Sequence, residues 1–542
     1  MGRGGGHHVA DARVVLPPLP DRSDDVLGDL PESFRLSHVD YLPNSICWHD
    51  GSWIVSTDAW EDRRLARPDA TGEWAELPTP PGWARRPMSA TGADLAVLVH
   101  PGSADSGDML ARRRHGWERL AAGVEEHAVT DWDGVHLACR DEAGHASALD
   151  RSGNVVRVVA ANGVQCLTAE STRLDIAIPR GATLAHLAPS PDREAAVLVV
   201  RRGTSYQTQV FSLVDGRPLS RHSVRLPVSA PPVWLDSGRV VLVAEQWPSL
   251  VPLVWDWAGG RLDQLWPRSV IGTVRSVAVA PGGACTLAVC TPWLPRSPVL
   301  LADVEAVASR KGDADVHPLV VTRGDQKLPC LVYEPAAPCR GTILYFPGGP
   351  HEPVWGEYGA LAHALRERGW RIVRANVRTS GLRENAYRPR GPVRFGVDDV
   401  DDACALIDEF DDGPVVTMGM SYGGYIASLA GERQPACRAV AVLSGFVSTR
   451  DLHGGEHRGV QEFASFAFRP PPPEPATLTK RYFVAHGELD RRIPIDAVAT
   501  HARRARNEFT LVPLPAVGHA IHSDHAARLT YPPLLRWLDD VA

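Results

Sequence analysis

A serine lies between two glycines in Gly419-Met420-Ser421-Tyr422-Gly423, directly after the apolar run Val415-Val416-Thr417-Met418. A strand that turns this sharply into a helix leaves no room for side chains beside the turn, so glycines flank it. Such an elbow thrusts the serine hydroxyl out beyond the end of a sheet. The feature therefore demands a strand, a helix that follows at once, and a sheet around them. A serine hydroxyl alone is a poor nucleophile, so the same feature calls for a base and an acid elsewhere in the chain.

Both are found downstream, in the order Ser, acid, His that characterises α/β-hydrolases. Asp490 lies in His486-Gly487-Glu488-Leu489-Asp490, just after the strand candidate Tyr482-Phe483-Val484-Ala485. His519 follows Gly518, beyond the strand candidate Thr510 to Leu514. All three residues lie past the C-terminal ends of expected strands, where open α/β sheets carry their reactive groups. His519 is the candidate base, and Asp490 the carboxylate that orients it. Upstream, Gly341 to Phe346 reads as a buried strand that runs into Pro347-Gly348-Gly349-Pro350. A glycine pair there exposes backbone N–H groups, and an oxyanion hole is expected from Gly349 and from Tyr422, the residue after the nucleophile.

Taken together these residues resemble the prolyl oligopeptidase family of serine peptidases, with an acylaminoacyl-peptidase-like architecture. Many members carry His-Gly-Gly-Pro at the oxyanion loop, Asn-x-Arg-Gly-Ser after the next strand, Gly-x-Ser-x-Gly-Gly-Tyr at the nucleophile and His-Gly-x-x-Asp-x-x-Val-Pro at the acid. Here the corresponding stretches are Pro347 to Pro350, Asn376-Val377-Arg378-Thr379-Ser380, Gly419 to Tyr425, and His486 to Pro494. Pro347 stands where the family has His or Tyr and has no N–H to donate, so a donor from that loop falls to Gly349 or a neighbour. Thr379 replaces a glycine. The segment from Ser444 to Lys480, with its run Pro470 to Pro473, departs most from the family pattern.

The 542 residues exceed one ordinary domain. Before about Pro318, short β-rich runs alternate with Gly, Asp, Pro and Ser turns. Runs starting near Trp53, Leu95, Val135, Val240 and Cys285 recur at roughly 40–45 residues, less cleanly between Val135 and Val240, and this is the period of a four-stranded propeller blade. Ala188-Pro189-Ser190-Pro191-Asp192 and Ala280-Pro281-Gly282-Gly283 read as related blade-opening turns. A pair of β-sandwiches competes with this architecture; the repeat favours a propeller of six or seven blades, and the family resemblance implies seven. From His317 onward strands alternate with helices, as in a doubly wound sheet. The expected domains are an N-terminal arm over 1–30, a β-propeller over 31–312 and an α/β-hydrolase domain over 313–542. Helices are expected over Tyr358 to Arg368, over Asp399 to Phe410, and over Ala526 to Leu538 with an interruption at Pro532-Pro533.

The formal charge of -7 argues against a nucleic-acid partner, and no apolar run reaches the length of a membrane span. Nine scattered cysteines include Cys139, Cys285 and Cys290 in strand candidates, which suits free buried thiols and a cytoplasmic setting. His522, Asp524 and His525 look like a metal cluster, but too few ligands follow them; neither a metal nor a cofactor is expected. Glu125-Glu126 reads as solvated surface, and Arg378 and Arg450 as structural. The expected activity is hydrolysis of short peptides through an acyl-enzyme, with the propeller limiting substrate size. An esterase, or a peptide ligase or macrocyclase, would use the same triad.

Overall fold

In the computed structural model of the chain the described residues are 182–542, apart from 191, 193, 281–282, 390, 456–457, 520, 522–523 and 542, together with separate strand-bearing stretches between 46 and 177. The expected arm over 1–30, Glu126 and His522 lie outside the described residues.

Up to Leu300 the described strands form seven antiparallel groups in chain order. Two groups of four lead, Ile46–His49 to Trp74–Leu77 and Trp83–Ser89 to Gly116–Glu125. Three strands within 137–157, two within 163–177 and four from Thr183–Pro189 to Pro218–Val224 follow. The last two groups, Val233–Trp234 to Arg261–Gln264 and Thr273–Val279 to Ser297–Leu300, are joined only through one parallel pair, Leu250 with Thr273. Strands such as Ala195–Arg202, Arg239–Gln246 and Cys285–Cys290 are rich in Val, Leu, Ala and Cys and buried along nearly their whole length. Burial on both faces follows from stacking sheet upon sheet, since each group covers the next. Trp234 illustrates this, its indole N–H reaching the Ala188 carbonyl of the preceding group at 3.0 Å. The ring closes, because Ile46–His49 packs against both Trp83–Ser89 and Thr273–Val279. This is a β-propeller, and the sandwich pair is set aside.

The blade-opening turns have physical causes. At Ala188–Asp192 the Ser190 hydroxyl binds Asp192 at 2.5 Å and the Ala195 carbonyl at 2.9 Å. At Ala280–Ala284 the reversal rests on Gly283 with φ +88°, a left-handed conformation that glycine adopts without strain.

After the short helix Val304–Ala308 the chain enters an eight-stranded sheet. Its strands are β1 (Val316–Arg323), β2 (Gln326–Tyr333), β3 (Gly341–Phe346), β4 (Trp370–Ala375), β5 (Val415–Met420), β6 (Cys437–Leu443), β7 (Arg481–Gly487) and β8 (Phe509–Leu514). The spatial order is β1-β2-β4-β3-β5-β6-β7-β8. The β1–β2 and β2–β4 pairs are antiparallel, and every later pair is parallel. The helices are α1 (Ala360–Glu367), α2 (Asp398–Glu409), α3 (Tyr422–Arg433), α4 (Arg458–Ala467), α5 (Ile495–Ala499) and α6 (Asp524–Asp539). One sheet face buries Leu344, Val373 and Val440 against Leu406 of α2 and Ile426 and Leu429 of α3. The other buries Ile343, Met418 and Phe483 against Leu365 of α1 and Leu534, Leu535 and Trp537 of α6. Each such side chain contributes about 1.5–3 kcal/mol, so two apolar layers hold the frame from which the loops project. Propeller plus α/β-hydrolase is therefore the fold.

One expectation is corrected. Helix α6 runs through Pro532 and Pro533 without interruption. Leu534, Leu535, Trp537 and Leu538 are all buried, and their anchoring outweighs the backbone hydrogen bonds the prolines remove.

The two domains meet across polar contacts. Arg383 binds Glu245 through Nε at 2.6 Å, Gly356 N–H donates to the Pro248 carbonyl at 2.7 Å, and the Trp247 indole reaches the Val354 carbonyl at 3.2 Å. Arg275 and Arg296 of the propeller both bind Glu357, at 2.5 and 3.2 Å.

Candidate active site

Because β3, β5, β6, β7 and β8 are parallel neighbours, the loops at their C-terminal ends emerge along one edge of the sheet. Ser421 follows β5, Asp490 follows β7, His519 follows β8, and the Gly348-Gly349 loop follows β3. The sequence placed all four elements there, and the fold brings them together.

Ser421 has φ +50° and ψ -120°, outside the conformations that ordinary side chains favour. The flanking glycines are obligatory. A Cβ on Gly419 would lie 2.1 Å from the Gly423 carbonyl oxygen, and one on Gly423 would lie 2.1 and 2.3 Å from the Phe346 and Pro347 carbonyls. The strain is held by the Ser421 N–H on the Leu443 carbonyl at 3.0 Å and by the first turn of α3.

His519 Nε2 stands 3.0 Å from Ser421 Oγ, and its Nδ1 stands 2.8 Å from Asp490 Oδ2. Asp490 is fixed from the opposite side. Its Oδ1 accepts the N–H groups of Arg492 and Ile493, each at 2.9 Å, and its Oδ2 also lies 3.2 Å from His486 Nε2. Burial alone would raise the Asp490 carboxyl, but His519 and His486 hold it well below the usual carboxylate range. His486 is fully buried, and its Nε2 lies 2.7 Å from the Ile493 carbonyl, so Nε2 carries the proton. This explains the histidine that opens the acid motif: it clamps the loop on which Asp490 sits.

Neither Gly349 N–H nor Tyr422 N–H has an acceptor among the described residues. Tyr422 is the first residue of α3, where the helix leaves its donors unpaired and its dipole favours negative charge. Gly349 has φ +121°, a conformation reserved for glycine.

Two carboxylates near the site are not apparent from sequence. Asp399, on α2, is fully buried and accepts hydrogen bonds from the Tyr422 hydroxyl and from Thr379 Oγ1, the latter at 3.0 Å. Burial pushes its carboxyl up to about 6 against the pull of these donors. Gly396 N–H in turn donates to the Tyr422 hydroxyl at 2.9 Å. Thr379 thus has a role in this sequence that a glycine could not fill. Its carbonyl also accepts His351 N–H at 2.9 Å, tying the oxyanion loop to the loop after β4. The second carboxylate, Glu352, lies on the oxyanion loop itself. Only the three-residue distance from the glycine pair could have signalled it, and such spacing is common.

The remaining sequence candidates fall elsewhere. Arg378 forks onto Asp402 through Nε at 2.8 Å, a structural pairing as expected, and Arg450 is exposed. His525 Nε2 lies 3.2 Å from the Pro515 carbonyl. The divergent segment 444–480 packs Phe446 and Phe468 around the Tyr422 ring, and its Glu474 accepts Tyr425 Oη at 3.1 Å and Ser448 Oγ at 2.6 Å. Between the domains lie two compartments of about 420 and 410 Å³, which share His351, Gly381 and Arg383.

Residues 358–542 match the family model described as the prolyl oligopeptidase family. No curated protein matches the sequence. Among solved structures, a puromycin hydrolase shares 14% identity over 92% of this chain and 94% of its own, with a TM-score of 0.66. A puromycin-hydrolyzing peptidase from Mycobacterium tuberculosis shares 15% over 98% of both chains, with a TM-score of 0.60. An acylaminoacyl peptidase from Pyrococcus horikoshii shares 11% over 94% of this chain and 97% of its own, at 0.53. These likenesses are of fold; the family model covers the catalytic half. That match spans Ser421, Asp490 and His519, so over this stretch the chain is similar to the prolyl oligopeptidase family.

Proposed function

We propose that this protein hydrolyses short peptides through an acyl-enzyme formed on Ser421. The observation that carries the proposal is the continuous hydrogen-bonded line from Ser421 Oγ through His519 to Asp490. In this reading Ser421 Oγ attacks the scissile carbonyl while its proton passes to His519 Nε2. Asp490 stabilises the imidazolium through Nδ1–H. The N–H groups of Gly349 and Tyr422 hold the oxyanion, a contribution of about 3 kcal/mol per donor in comparable sites. His519 then gives the proton to the leaving amine, and water resolves the acyl-enzyme by the same steps in reverse.

The propeller is proposed to admit short chains and exclude folded proteins. Seven blades is the count its strand grouping supports, with the domain boundary at 312/313. Buried thiols such as Cys285 and Cys330, both pushed well above the ordinary thiol range by burial, suit the proposed reducing cytoplasm.

The test is mass spectrometry of a mixed short-peptide pool incubated with the protein and with Ser421→Ala. Cleavage lost in the variant, with its melting temperature unchanged, supports the peptidase; equal turnover by the variant refutes it. The products also separate the chemistries that share the triad, since hydrolysis adds the mass of water whereas ligation and macrocyclisation do not.

A further inference from the structure

The two interdomain compartments differ in charge. The one of about 420 Å³ sets Glu245 beside Arg275 and Arg383. The one of about 410 Å³ is lined by Arg201, Arg378, Arg383, Arg388 and His351, and by no aspartate or glutamate among the described residues. Its arginines come from both domains: Arg201 from the propeller strand Ala195–Arg202, the other three from the loop that follows β4. Two of these guanidinium groups are already fixed. Arg378 uses Nε and Nη2 on buried Asp402, and Arg383 uses Nε and Nη2 on buried Glu245. In each, Nη1 has no hydrogen bond among the described residues. Arg388 is exposed, and its side chain has no hydrogen bond or ion pair among them. The compartment also adjoins the reaction centre. The His351 ring stands edge-on to Phe395 at 5.9 Å, and Phe395 stands edge-on to the ring of Tyr422, the residue after Ser421, at 6.2 Å. His351 and Phe395 both line the cavity.

We propose that this compartment binds a carboxylate of the peptide, either its C-terminus or an aspartate or glutamate side chain, so that the enzyme favours acidic short peptides over neutral ones. The inference rests on the peptidase reading above. A guanidinium presents paired N–H donors that match the two oxygens of a carboxylate. Arg378 and Arg383 are oriented in advance by their buried partners, so little side-chain freedom is lost when the ligand arrives. Arg388 supplies positive charge that no carboxylate of the described residues offsets. A cavity of one sign of charge also draws the opposite charge towards the nucleophile beside it. A lysine or arginine side chain entering the same space meets like charge and is rejected. A C-terminus comes within reach of the cavity only when the peptide is short, so the site would act with the propeller in selecting size.

The test starts from a short peptide that wild type cuts in the mixed pool and compares three forms of it: the C-terminal acid, the C-terminal amide, and the amide with glutamate in place of a neutral residue away from the scissile bond. Values of kcat/KM are measured for wild type, Arg388→Gln and Arg388→Lys. Wild type is expected to cut at least one of the two acidic forms about tenfold faster than the neutral amide, the effect of one charge-assisted hydrogen bond. A faster acid assigns the site to the C-terminus, and a faster glutamyl amide to a side chain. Arg388→Gln should lose most of that preference, its loss falling on the acidic form, and Arg388→Lys should keep part of it. Acidic forms cut no faster than the neutral amide by wild type would overturn the proposal. So would a preference that survives intact in Arg388→Gln, or an equal slowing of all three forms, which would make Arg388 a support of its loop. If wild type cut no peptide in the pool, the peptidase reading itself would fall and this inference with it, a result distinct from these.

Discussion

Ser421 occupies a backbone conformation that costs about 1–3 kcal/mol, and the residue beside it is secured by a buried network. The Tyr422 hydroxyl donates to Asp399, which Thr379 also binds, and this network locks the side chain whose backbone N–H is proposed to meet the oxyanion. Tyr422→Phe leaves the buried Asp399 short of a donor. It should destabilise the protein by about 1–3 kcal/mol and lower kcat more than it changes KM. Thermal melts and steady-state kinetics on a short peptide read the two effects separately. Asp399→Asn can still accept from the hydroxyl, so its loss of activity should be the smaller of the two.

At the scale of elements, the β5–elbow–α3 unit determines the geometry of everything else at the site. The Gly423 clash is with the backbone carbonyls of Phe346 and Pro347, at and just past the end of β3, which no side-chain rotation relieves. Gly423→Ala should therefore cost about 3 kcal/mol and sharply slow phosphonate labelling, measurable by denaturant melts and by mass spectrometry of the labelled protein. A labelling rate equal to that of wild type would show that β3 and α3 can separate without loss of the site. These elements are also where sequence reading works best. The glycine spacing, the apolar runs before each loop and the 3.6-residue pattern of α1 and α2 are local signals. The prolines of α6 mislead because a local rule meets a non-local force: burial of Leu534, Leu535, Trp537 and Leu538 carries the helix through them.

For the whole molecule, the interface between propeller and hydrolase domain combines polar contacts with apolar packing of Trp355 and Leu382, and it includes one carboxyl with a displaced titration. Burial raises Glu384 to about 7 from 4.5, while the Trp247 N–H it accepts acts in the opposite sense. The native state thus holds this proton more tightly than the unfolded chain does. Its contribution to stability is greatest below pH 4.5, declines as the pH rises towards 7 and is level above that; the difference is up to about 3 kcal/mol. Glu384→Gln should melt above wild type at pH 8 and together with it at pH 4.5. Melting curves that stay parallel across that range would show that the carboxyl is solvated in the native protein.

The sequence by itself determined the hydrolase half: its strand–turn–helix order, the candidate nucleophile, acid and histidine, and the glycines that make the elbow possible. Each of these depends on residues that are neighbours in the chain. The repeating β-runs likewise made the propeller legible as a class. Only the tertiary structure decided the rest. The closure of the ring joins Ile46–His49 to Thr273–Val279, and the partnership of Tyr422 with Asp399 joins α3 to α2. The buried carboxylate of Glu357 is held by Arg275 and Arg296 of the other domain. These are contacts between residues far apart in the chain, and a carboxylate's role is set by which charges the fold brings to it and which it directs elsewhere.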